Sequence, residues 1–228
     1  MVAENIRVVK ERMADAAARA GRIDKITLVA VTKNHTVEDV LAAAAAGITV
    51  VGENRIQEAK QKQAALPQNV CLRWHLIGHL QHNKAKQAVQ LFDLIHSIDS
   101  EHILRAINAV AAQADKVQDI LLQVNVAREE SKFGMTVEAF PQMVALATSL
   151  PNVRVRGLMC IAPNYENIEQ VRPVFRVASA LYETMKEQFP FGQISYLSMG
   201  MTHDFEIAIE EGANLVRVGT AIFGSRNY

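Results

Sequence analysis

Eight short apolar segments, each trailed by a stretch whose apolar residues recur at helical spacing, run the length of this 228-residue chain. The segments are 26–31 ("ITLVAV"), 48–53 ("ITVVGE"), 71–78 ("CLRWHLIG"), 94–99 ("LIHSID"), 119–126 ("DILLQVNV"), 153–162 ("VRVRGLMCIA"), 194–200 ("ISYLSMG") and 215–224 ("LVRVGTAIFG"). Their Val, Ile and Leu content is that of parallel strands covered on both faces. Regular alternation of strand and helix predicts an α/β protein, and eight such units in a chain of this size predict a single (β/α)8 TIM barrel. An open doubly wound sheet would ordinarily use fewer strands. For a dinucleotide it would also place a glycine-rich turn after the first strand, where this chain reads "TKNHT" (32–36).

Ile6, Val9, Met13 and Ala17 add an amphipathic helix ahead of the first strand, over 3–20, ended by Gly21. Further helices are predicted over 36–46, with Thr36 as N-cap and Gly47 as C-cap, and over 54–66, 83–90, 100–114 (capped by Ser100), 136–149 and 203–212. The helix after the sixth strand runs to about Phe189, and Pro173 marks either its first turn or a kink. No linker or low-complexity segment interrupts this order, so residues 1–228 are expected to form one domain.

The 24 basic and 24 acidic side chains balance, which removes the basic excess expected of a protein for nucleic acid or an anionic membrane surface. Apolar runs stay strand-sized, short of the roughly 20 residues of a membrane-spanning helix. The start, "MVAENIRVVKERM", has scattered charges and no apolar core, unlike a signal peptide. The two cysteines, Cys71 and Cys160, lie in apolar strand-like segments. A reducing, cytoplasmic setting is expected.

In such a barrel the functional groups sit at the carboxyl ends of the strands. Read in order, those ends present Lys33, Asn54, His75 with Gly78, Asn125, Met159, "SMGMTHD" (198–204) and "RVGTAIFG" (217–224). Loops after strands seven and eight recurrently hold a phosphate in this architecture. Ser198, Gly200 and Met201 precede a helix, and Gly219 and Thr220 offer backbone donors beside a hydroxyl. Simple turn glycines would look the same. Lys33 ends an apolar strand, where desolvation would lower an amine's pKa and make it a nucleophile for a carbonyl. Together, a nucleophilic lysine and a phosphate site suggest pyridoxal phosphate. A lysine that snorkels to solvent at the barrel rim is the alternative from that stretch alone. Lys84 and Lys132 compete less well, since "QHNKAK" and "REESKFG" are polar loops.

The stretches "AVTKNHTVEDV", "GENRIQEAKQK", "WHLIGHLQHNK", "LLQVNVAREESKFG", "VRGLMCIAP", "YLSMGMTHDFEIAI" and "EGANLVRVGTAIFG" resemble, in order and over nearly the whole chain, the YggS/PROSC family of pyridoxal phosphate (PLP) homeostasis proteins. Its members resemble the N-terminal barrel of alanine racemase, a fold-type III PLP protein. The resemblance implies that Lys33 carries PLP as a Schiff base and that Ser198, Gly200, Met201, Gly219 and Thr220 surround its phosphate. It places Arg217 beside the pyridine nitrogen, Asn54 near the ring, and His75 and Met159 in the pocket. An arginine at that nitrogen opposes ring protonation and weakens the cofactor as an electron sink. The implied role is to bind, buffer and deliver this form of vitamin B6, with indirect effects on amino-acid and keto-acid balance. PLP-dependent apo-enzymes are the implied acceptors. One departure is His35, where many relatives have a second lysine; Lys132 keeps the family's "SK-G" pattern.

Three other readings compete. A PLP-dependent racemase or decarboxylase would carry a second, β-rich domain supplying an acid–base tyrosine. This chain runs to Tyr228, just past the eighth strand, so that domain is expected to be absent and a monomer is expected. Tyr165, Tyr182 and Tyr196 follow no catalytic pattern. A class I aldolase would use the same phosphate loops, but the first-strand position of the lysine and the missing carboxylate base near it argue against that reading. His75, His79 and His82 have metal-like spacing only if they share a helix, and "WHLIG" reads as strand.

Overall fold

The computed structural model describes residues 1–224. The chain opens with α1 (Val2–Arg19), which turns Ile6, Val9, Met13 and Ala16 to the interior at spacings of three and four. Then follow β1 (Thr27–Val31), α2 (Val37–Ala45), β2 (Val50–Glu53), α3 (Ile56–Ala65), β3 (Arg73–Leu76), α4 (Ala85–Leu91), β4 (Leu94–Ile98) and α5 (Glu101–Gln113). The second half holds β5 (Gln118–Val124), α6 (Phe140–Thr148), β6 (Val153–Cys160), α7 (Arg172–Lys186), β7 (Tyr196–Ser198), α8 (Phe205–Glu210), β8 (Leu215–Val218) and α9 (Thr220–Phe223). All eight strands pair in parallel in sequence order, and β8 returns to β1 through Thr27↔Leu215 to Ala30↔Val218, closing the barrel. The predicted (β/α)8 architecture with its extra N-terminal helix is present, and α1 packs on α2, α8 and α9.

Local chemistry explains the boundaries. Thr36 forms a capping box with Asp39 at α2, and the Ser100 hydroxyl accepts from the Ile103 N–H at the head of α5. Pro173 falls in the first turn of α7, where its missing N–H has no intrahelical partner to lose. The strands are shorter than their apolar runs: β1 and β2 drop the first one or two residues of theirs, whereas β3 to β8 end one to six residues before their runs do. At the end of the eighth run Gly219 turns the chain, and residues 220–223 form the single-turn α9 instead of more strand. The predicted helix over 136–149 begins only at Phe140, since Met135 still bonds to Gln123 and Asn125 of β5 and its loop.

Burial divides between the layer joining sheet to helices and the barrel interior. Phe92, Phe175 and Phe205 fill the outer layer. Inside, Val29, Val50 and Leu215 form one apolar cluster and Leu94, Leu121 and Met159 another. No helix among the described residues is long and apolar enough to cross a membrane.

Candidate cofactor site

β1 ends at Val31, and Lys33 follows at the carboxyl mouth of the barrel, partly buried in a tight turn that puts Asn34 at φ 61°. The backbone around Lys33 is held from behind by α3. The Thr32 hydroxyl donates to Glu53 Oε1 at 2.6 Å, and Lys62 Nζ donates to that same oxygen and to the Thr32 carbonyl, each at 2.6 Å. The Asn34 N–H donates to Glu58 Oε2 at 2.8 Å, and Lys62 lies 3.5 Å from that oxygen. Glu53 and Lys62 are buried. Burial pushes the Glu53 carboxyl above its ordinary value, against the opposing pull of Lys62 and Thr32. His35, which takes the place of a second lysine, lies 3.5 Å from the Asp39 carboxylate and packs its ring on Phe223 of α9, with centroids 4.5 Å apart.

β8 runs beside β1, so its end meets the Lys33 turn: a Cβ built on Gly219 would stand 3.3 Å from the Val31 carbonyl oxygen and Cβ. The β7 end is equally tight. Gly200 has φ 90°, and a Cβ there would lie 2.5 Å from the Ala208 Cβ and 2.8 Å from the Phe205 Cα. The Met201 N–H donates to the buried Asp204 carboxylate at 2.5 Å, while the Ala221 N–H approaches the Thr202 hydroxyl at 3.5 Å. Burial raises Asp204 above the ordinary carboxylate range, and the Met201 N–H and the Arg217 cation draw it back. The loops carrying Gly200, Met201, Gly219 and Thr220 therefore converge.

Arg217 projects into the barrel, buried, and donates to the Ser198 hydroxyl and, at 3.0 Å, to the Cys160 carbonyl. Among the described residues no carboxylate pairs with it. Burial lowers its pKa to about 10, with Asp204 opposing that fall, so it stays cationic at neutral pH. Ser198 Oγ also lies 3.1 Å from His96 Nδ1, and His96 Nε2 lies 3.0 Å from His75 Nδ1. Sequence reasoning missed His96; an inward-facing histidine within the apolar "LIHSI" strand was the only signal. His75 is thus an interior residue, and Met159 packs in the apolar interior beside Leu94 and Leu121. Asn54, at the β2 end, has a buried Oδ1 with no partner among the described residues.

The other polar strand ends resolve differently. Asn125 organises the β5 loop, donating to the Glu129 and Lys132 carbonyls at 2.9 and 3.1 Å. His79 stacks on Phe133 at 3.8 Å, and His82 stacks on His102 at 4.0 Å, so the three histidines 75, 79 and 82 point to separate surroundings. Tyr182 is buried on α7, where burial drives its hydroxyl to about 12, and Tyr196 sits at the opposite, amino end of the barrel.

Residues 2–227 match the model of the family described as alanine racemase, N-terminal domain. The chain belongs to that family. Within the alanine racemase N-terminal domain family it is 42% identical over 226 residues to the pyridoxal phosphate homeostasis protein of Aquifex aeolicus, covering 99% of this chain and 98% of that protein. The structure of PipY from Synechococcus elongatus PCC7942 with PLP bound superposes with a TM-score of 0.83 at 35% identity, covering 98% of this chain and all of that one. Alanine racemase from Bartonella henselae, at 17% identity and a TM-score of 0.72, shares the fold over 58% of its own length.

Proposed function

We propose that this chain binds pyridoxal 5'-phosphate through Lys33 and serves PLP homeostasis, holding the cofactor and releasing it to PLP-dependent apo-enzymes. The observation that carries the reading is local. A lysine in a turn braced by Glu53, Glu58 and Lys62 stands at the end of β1, directly beside the glycine-bearing end of β8. The relatives' names and the PLP-bound PipY structure support it.

The residues fit the group. Among the described residues, Asn54 Oδ1 is a buried acceptor left without a partner at the mouth, and Arg217 is a buried cation that no carboxylate bonds directly. When bound, PLP supplies an aldehyde for the lysine, a ring that withdraws electrons, and a phosphate. Gly219 and Thr220, with Gly200 opposite, would take the phosphate on backbone N–H groups at the head of α9, while the Met201 N–H, held by Asp204, shapes the loop beside them. The Ser198 hydroxyl is already engaged, so its part is to hold Arg217. A permanent cation at the ring nitrogen keeps that nitrogen unprotonated, which favours storage over carbanion chemistry. The proposed role needs no acid–base partner. The reading extends to one barrel domain over the whole chain, a monomer, in the cytoplasm.

The test is absorbance and borohydride trapping. Protein loaded with PLP should show a visible band that reduction removes, leaving a pyridoxyl group on the Lys33 peptide, and Lys33→Ala should show neither. Absence of any such band with excess PLP would end this reading. Turnover of alanine enantiomers by the loaded protein would replace it with racemase chemistry.

A further inference from the structure

At the end of the barrel away from Lys33, a cavity of about 880 Å3 opens between α1 and the amino ends of β1, β2, β3 and β7. That volume is of ligand-binding size. Five charged residues line it, and two of them cancel: Arg22 grips Asp24 through two hydrogen bonds of 2.9 and 2.5 Å. Lys10, Lys25 and Arg73 remain, all exposed, and none makes an ion pair among the described residues. The rim is therefore positive by three.

The inner wall adds a directional group. Arg217 can only donate, so the Ser198 oxygen accepts from it, and among the described residues the other partner of that buried hydroxyl is His96 Nδ1. The serine proton therefore goes to His96 Nδ1, which fixes the His96 proton on Nε2 and sends it to His75 Nδ1. The His75 proton is left on Nε2. His75 lines the cavity, and its Nε2 is buried with no partner among the described residues. Every donor from Arg217 to His75 thus points the same way, and the last is unsatisfied. A buried unmade hydrogen bond of this kind destabilises the site, and an acceptor would relieve it. His75 stays neutral at physiological pH, since burial and then the Arg73 cation push it down to about 3.

From the orphaned N–H and the three rim cations we infer that the amino-end cavity binds a small carboxylate or phosphate anion, with His75 Nε2–H as the inner donor and Lys10, Lys25 and Arg73 as its charge partners. An acceptor at Nε2–H polarises each donor behind it, ending at Arg217. Anion and cofactor affinities are then coupled, equally in both directions. This coupling rests on the PLP reading; the anion site does not.

The experiment labels histidine side chains with 15N and follows the His75 Nε2–H signal while inorganic phosphate or succinate is added. It is run on PLP-loaded protein, whose upper phosphate loops are filled, and on protein without PLP. A saturating shift at His75, weakened at least about tenfold in Lys25→Ser/Arg73→Ser, is expected. Both residues are exposed, so that variant should fold. Response to succinate alone assigns a carboxylate ligand, and response to phosphate alone a phosphate. A shift that grows linearly with salt and is unchanged in the double variant overturns the site. So does perturbation confined to the Lys33 mouth. If PLP fails to load, the His75 titration is still read on the unloaded protein, so the two failures are distinct.

Discussion

Replacing Lys62 by Met asks whether the brace behind Lys33 depends on a buried charge pair. Methionine keeps the apolar stem and removes the ammonium. Among the described residues Glu53, with no exposed surface, would retain only the Thr32 hydroxyl, and its Oε2 has no partner there even in the native protein. Removing one member of a buried pair costs about 3–5 kcal/mol, because the other charge is stranded. For a chain of this size each kcal/mol moves Tm by roughly 2–4 °C, so the expected drop is roughly 6–20 °C. The loss should also depend on pH in a definite direction. Burial already holds the Glu53 carboxyl high, and Lys62 is the main group pulling it down. Without Lys62 it rises further, and a carboxyl with a higher pKa folded than unfolded favours the folded state as pH falls and disfavours it as pH rises. Urea unfolding from about pH 8 to about pH 5 should therefore show a penalty that is largest at the alkaline end and narrows toward the acid end. Adding Glu53→Gln to Lys62→Met should recover much of the loss at the alkaline end, and PLP affinity with it. A pH-independent penalty, or a double variant no more stable than the single one, would refute the argument.

Other expectations follow from single contacts. His75 is held down to about 3 and His96 well below its ordinary value, so their contribution to stability is complete above about pH 6.5 and is lost as pH falls toward the folded-state values, at about 1.4 kcal/mol per pH unit for each histidine. Stability from urea unfolding between neutral and acid pH should show that slope, and His75→Gln should roughly halve it. Gly200→Ala forces a side chain into φ 90° and against Phe205 and Ala208, so it should cost about 1–3 kcal/mol in strain, with a further loss from overpacking and at least a tenfold weaker PLP titration. Of the two thiols, Cys71 is exposed, whereas Cys160 is buried and pushed up to about 12, so a thiol reagent should modify one cysteine in native protein and both in denaturant.

The sequence makes the barrel readable because parallel strands buried on both faces leave unbroken apolar runs, and eight of them leave few other closures. The ends of those runs are less readable, since a residue that leaves the ladder to cover the mouth keeps the same apolar composition; residues 220–223 are the clearest case. Lys33 stands out because an apolar strand precedes it. Lys62 carries no such mark. It lies nine residues from Glu53 in a polar helix whose buried face consists of Ala59 and Lys62 itself, so no apolar stripe reveals that this lysine faces the sheet.

His75, His96, Ser198 and Arg217 show the same limit from inside the barrel. Each occupies an inward position on its own strand, and each in isolation reads as one polar residue in an apolar run. Closure brings β3 and β4 across to β7 and β8, and the four become a single chain of donors in which one bond alone, His96 to Ser198, joins residues 102 positions apart. An arginine buried, as this one is among the described residues, with no carboxylate bonded to it would normally be a liability. Here its cation is spread into two acceptors, Ser198 and the Cys160 carbonyl, and its direction is passed to the histidines. The cation proposed to face the cofactor ring at one mouth thereby also fixes which proton His75 presents at the other. Replacing Arg217 should therefore disturb both ends, whereas replacing Lys33 should disturb only the first.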